Sequence, residues 1–117
     1  MASREKDALR ARLITFAVHV LDLCENLPLT LAGRHIAGEL IRLSTTAAPR
    51  FSEANGVATG QQATQKLGLA LSALDESSIW FEILHERQMA PETELKAVTE
   101  ECLALCRDVA TQQKEKR

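Results

Sequence analysis

Leu67 to Leu84 reads LGLALSALDESSIWFEIL, and its spacing predicts a long helix that is apolar on two faces rather than one. At about 100° per residue, Leu67, Ala70, Leu71, Leu74, Ser78, Phe81 and Leu84 fall on one stripe, as a core-facing helix requires. Leu69, Ala73, Ile79, Trp80 and Ile83 fall roughly opposite, leaving Gly68, Asp75, Glu82 and Glu86 as a narrow polar sector. One stripe suffices for a small bundle. The second needs cover, either from a flanking helix of the same chain or from another copy of it. Trp80 favours the second, because tryptophan anchors interfaces.

Working outward, Leu9, Leu13, Phe16, Val20, Leu23, Cys24 and Leu27 recur at three- and four-residue steps and end before Pro28, with Ile14, Val18 and Leu21 as a second, weaker stripe. Ile36, Leu40, Leu43, Ala47, Phe51, Ala54 and Ala58 share a face that runs straight through Pro49. A proline inside a helix lacks a donor and crowds the preceding turn, so a kink or short break is expected near residues 45–49. Asn55-Gly56 and Gly60 end that element by their access to positive φ, and Thr59-Gly60-Gln61-Gln62 fits a capping box for the next. Pro91 at a first helical position, with Glu92 and Glu94, opens a fourth helix whose stripe is Leu95, Val98, Cys102, Cys106 and Val109. Lys114, Lys116 and Arg117 are expected to fray into solvent. Four helices, over about residues 3–26, 30–55, 60–87 and 91–114, predict an all-α, antiparallel up-down-up-down four-helix bundle forming one domain over 1–117, with its second helix kinked at Pro49.

The 117 residues suffice for a core without disulfide or metal staples. A net charge of −2 offers no global attraction for nucleic acid or an anionic membrane. MASREKDALRAR lacks an apolar leader core, and no apolar run reaches the roughly 18 residues of a membrane span, so a cytoplasmic protein with no membrane partner is expected. Cys102 and Cys106, four apart on an apolar face, read as small core side chains.

Ile41-Arg42 with Pro49 seven positions on, followed by Leu67 to Glu76 as L-x-x-A-L-x-x-L-x-E, resembles a small bacterial four-helix-bundle family. These proteins were first noticed as products of intervening sequences in 23S ribosomal RNA genes; the accessory variability proteins of diversity-generating retroelements are similar. Asn26-Leu27-Pro28 and the turn before Pro91 also fit, so the resemblance spans nearly the whole chain. It implies a homopentameric ring of bundles, and, through the retroelement relatives, contact with a reverse transcriptase and nucleic acid. The chain departs from the family after the proline, where Arg50-Phe51-Ser52-Glu53-Ala54-Asn55-Gly56 replaces S-N-I-A-E-G, and at Leu43, where a second arginine is common.

Charge is uneven: residues 73–101 hold eight acids against Arg87 and Lys96, whereas residues 27–72 hold Arg34, Arg42, Arg50 and Lys66 against Glu39 and Glu53. The acidic run is a solvated face or one side of a head-to-tail contact. The four cations are the candidate nucleic-acid contacts, although the arginines advance about 80° per step and share no stripe on a regular helix. Without tyrosine, stacking platforms for bases are lacking. Glu82-x-x-His85 is the unit of a di-metal bundle site, but the second candidate, His19 with Asp22, reverses the order, so neither metal nor cofactor is expected. Ser77, Ser78, Asp75 and His85 share one helix with no nucleophile elbow, which argues against a hydrolase.

The expected function is a non-enzymatic homo-oligomer, a pentameric ring by the resemblance, serving as scaffold or adaptor through Trp80, Leu69, Ile83, Ile14 and Val18. The alternative is a nucleic-acid-binding accessory protein.

Overall fold

The computed structural model describes residues 3–57 and 60–116. They form α1 (Ser3–Glu25), α2 (Leu31–Gly56), α3 (Gly60–Glu86) and α4 (Glu92–Glu115), within one or two residues of the expected bounds. Each helix packs on its two neighbours around a square, α1 on α2 and α4, and α3 on α2 and α4, in a body 45 × 22 × 19 Å. Cross-helix pairs give the direction. Arg12 meets Asp108 and His19 meets Glu101, while Arg42 meets Glu76 and Lys66 meets Glu53, so numbers rise along one helix as they fall along its neighbour. The chain is an all-α, antiparallel four-helix bundle.

The stripe of α1 is buried as its spacing predicts, from Leu9 to Leu27. Across the bundle, Phe16 of α1 meets Phe81 of α3 edge-on at 6.3 Å, so the two rings fill the space between diagonal helices that the backbones leave open. On α3, Leu67, Ala70, Leu74, Phe81 and Leu84 are buried as expected, and only the edge of the stripe shifts. Ser77, not Ser78, is fully buried, and Ala73 turns inward from the supposed outer face. Ser77 resolves its burial by donating to the Ala73 carbonyl at 2.9 Å. On α4, Leu105 takes the core position and Cys106 is half-buried.

Of the kink or short break expected near residues 45–49, the break does not occur, since α2 is helical from end to end with Pro49 inside it. The missing donor leaves only the Thr45 carbonyl without its helical partner, and Thr45 lies exposed, where water can serve it. Just before the proline, Thr45 and Thr46 hydroxyls donate to the Ile41 and Arg42 carbonyls at 2.6 Å each. Gly56 ends α2 without positive φ, since Val57 simply continues extended. Ala58, Thr59 and Arg117 lie outside the described residues. Pro91 caps α4 from outside rather than occupying its first turn, and α4 stays helical to Glu115 rather than fraying.

The turn into α2 is tight. Thr30 caps it by accepting the Gly33 N–H at 3.1 Å, and a Cβ on Gly33 would stand 1.9 Å from the Pro28 carbonyl oxygen. Only glycine lets the first turn of α2 sit this close on the loop.

Candidate interaction surfaces

Ile14 and Val18 stand 41% and 49% exposed on the α2 side of α1. With Leu21, Ala48 and Pro49 they wall a shallow apolar groove between α1 and α2, of about 340 Å³, which Arg10 flanks. Ile41, exposed like Ile14, shares a face of α2 with Thr45 and Ala48 and lengthens this strip toward the α1–α2 turn. At that turn stand Leu29 and Leu31, 82% and 90% exposed. Sequence periodicity could not single them out, because a turn has no period.

The second face of α3 divides. Leu69, Ile79 and Ile83 are exposed, but Trp80 is half-buried, packed on the core and meeting the His35 ring of α2 edge-on at 5.6 Å. Both covers anticipated for this face are thus relevant: α2 covers Trp80, and the three aliphatic residues stay exposed among the described residues. Glu76 interrupts the exposed strip between Leu69 and Ile83.

Three of the four candidate nucleic-acid cations gather on the α2–α3 seam, each matched by a carboxylate. Arg42 lies 3.1 Å from Glu39 and 3.9 Å from Glu76, Arg50 pairs with Glu53, and Lys66 reaches the same carboxylate at 3.0 Å. The Lys66 hydrogen bond first, and the nearby Arg50 charge, hold the Glu53 carboxyl below its ordinary range. These side chains tie two helices together more than they offer charge to a ligand. Arg34 is exposed and makes no ion pair among the described residues. A different basic region lies at the far end of the bundle, where Lys6 and Lys116 approach so closely that the ammonium of Lys116 titrates below its usual value.

A groove of about 500 Å³ runs between α3 and α4 near the end that carries the α1–α2 turn. Its floor is Phe81, Leu95 and the exposed Leu103, and its rim carries Glu82, Glu92 and Glu100 against Lys96 and His85. Leu103 escaped the sequence reading because it stands one step outside the α4 stripe. His85 Nδ1 lies 3.2 Å from Glu92 across the α3–α4 turn. The Ser78 hydroxyl is spent on the Asp75 carbonyl at 2.6 Å, so the candidate hydrolase residues are not brought into one constellation. Among the described residues, no three His, Cys, Asp or Glu side chains are grouped to hold a metal ion. Burial pushes the Cys24 thiol up to about 11, and the Cys102 thiol, which donates to the Leu74 carbonyl at 3.1 Å, is raised by the neighbouring Cys106 and by burial, so both behave as packing groups. No helix among the described residues is long and apolar enough to cross a membrane.

The sequence matches no protein-family profile and no curated protein. The fold does have a solved counterpart: the crystal structure of a protein of unknown function from the S23 ribosomal protein family of Bacteroides thetaiotaomicron VPI-5482. The two superpose with a TM-score of 0.83 over 93% of this chain and 97% of that one, at 16% identity. At that identity the correspondence concerns the fold.

Proposed function

We propose that this chain is a non-enzymatic homo-oligomer of the intervening-sequence type, a ring of bundles that serves as scaffold or adaptor, five-membered as the sequence resemblance implies. The observation that carries this reading is the set of large aliphatic side chains held in solvent by rigid helices, on the α1/α2 edge at Ile14, Val18 and Ile41, and on outer α3 at Leu69, Ile79 and Ile83. Such residues at single positions are ordinary, but strips on separate sides of one small bundle suit repeated contacts between copies. The bundle fold shared with the S23-family protein is in keeping with this reading.

Sedimentation velocity at micromolar concentration is the direct test, with an assembly expected for the wild type. Ile14→Arg with Val18→Arg should weaken it without loss of helix content, since both side chains lie outside the core. A wild type that sediments as a monomer would sink the proposal. Trp80→Arg is a poorer probe, because it also disturbs the α2–α3 packing around His35.

A second reading, a nucleic-acid-binding accessory protein, draws on the far end of the bundle, where Lys6 of α1 approaches Lys116, just past the end of α4. Any such binding should fall steeply with salt. Absence of a mobility shift with RNA and DNA at low salt would eliminate it.

A further inference from the structure

We infer that the α3/α4 groove of one copy receives the α1–α2 turn of the next, so that the assembly proposed above is built from a single head-to-tail contact. The groove has an apolar floor of Phe81, Leu95 and Leu103 under a rim on which Glu82, Glu92 and Glu100 outnumber Lys96 and His85. Its occupant must therefore be apolar at the tip and basic beside it. Among the described residues, the α1–α2 turn has this character. Among the described residues, Leu29 and Leu31 are the most exposed large hydrophobic side chains, and Arg34, one turn beyond Leu31 on α2, is exposed and makes no ion pair.

The turn is also held ready for docking. Thr30 caps α2, and the Gly33 backbone seats directly on the Pro28 carbonyl, so the two leucines are displayed from a fixed turn rather than a loose loop. Little conformational freedom remains to be lost on binding.

Placement decides the geometry. Turn and groove lie at the same end of the bundle but on opposite edges, α1/α2 and α3/α4. One copy therefore cannot exchange both contacts with a single partner across a two-fold axis, and the contact repeats head-to-tail from copy to copy at one height, which makes a ring when the rotation per copy closes and an open filament when it does not. The same side-by-side placement sets Val18, beside the His19–Glu101 pair, level with Leu103 of the neighbour, so the apolar strip of α1/α2 continues the contact.

This inference rests on the assembly reading, and the test separates the two. Leu31→Glu disables the turn and leaves the groove intact; Leu103→Glu disables the groove and leaves the turn intact. Both positions are exposed, and an unchanged far-UV circular dichroism spectrum and melting profile at dilute concentration check the fold. Each variant alone should associate at least about tenfold more weakly than wild type, as loss of a central interface residue does. Mixed one to one, they should form a dimer and nothing larger, because one intact turn meets one intact groove and both remaining faces are dead. Assembly of either variant at wild-type affinity, or a mixture that stays monomeric, overturns this contact while leaving a wild-type oligomer, and so the assembly reading, in place. A monomeric wild type overturns both.

Discussion

At Gln88 the backbone takes a φ of 53°, the one positive φ among the described residues and not a glycine. The reason is the end of α3. The Gln88 N–H donates to the His85 carbonyl at 3.1 Å and the Met89 N–H to the Leu84 carbonyl at 3.0 Å, the paired closure that requires a left-handed residue at this position. Met89 then packs back on the core, which keeps the turn closed. A side chain in this conformation costs about 1 kcal/mol, part of which glycine would return in the greater freedom of its unfolded chain. Gln88→Gly should therefore raise stability by about 0.5 kcal/mol in chemical denaturation, with Gln88→Val moving it the other way. A destabilised glycine variant would mean that the Gln88 side chain does more than its backbone geometry indicates.

At the scale of the helix, the α2–α3 seam is held by Glu53 between Arg50 and Lys66. Its carboxyl titrates below the ordinary 4.5, so the folded state favours the charged form. The stabilisation is fully present above that ordinary value and is lost as pH falls through the lower folded one. Thermal melts from neutral pH down to pH ~3.5 should show wild type losing its advantage over Glu53→Gln as the solution is acidified. The effect is small because the group is solvent-accessible, and a constant difference across the range would contradict it. The helices also show how far periodicity carries. α1 is legible because its main stripe, Leu9 to Leu27, is longer than the second one at Ile14, Val18 and Leu21. α3 is legible in the middle of its stripe and not at the edge, because apolar side chains on several faces blur the phase, and the neighbouring helices choose Ala73 and Ser77 over Ser78 for burial. The α2–α3 ion pairs were equally hidden: Arg42, Arg50 and Lys66 looked available until α3 placed Glu76 beside Arg42 and α2 placed Glu53 beside Lys66. Helix contacts were legible in kind, and their partners only in three dimensions.

For the molecule as a whole, the distinction that matters is between what the bundle needs to fold and what it needs to assemble. The core is complete within one chain, with Phe16, Phe51, Phe81 and their aliphatic neighbours fully buried, and none of the exposed aliphatic residues belongs to it. A monomer should thus be a folded state rather than a fragment. Assembly then adds stability only by mass action, and a wild type whose subunits associate should melt at a temperature that rises with protein concentration. Leu31→Glu should melt at one temperature across the same concentrations, equal to the wild-type limit at high dilution, while its far-UV spectrum stays that of an intact four-helix bundle. If wild type instead lost helix on dilution, the interface would be part of the folding core, and the separation of folding from assembly argued from these buried and exposed side chains would not hold.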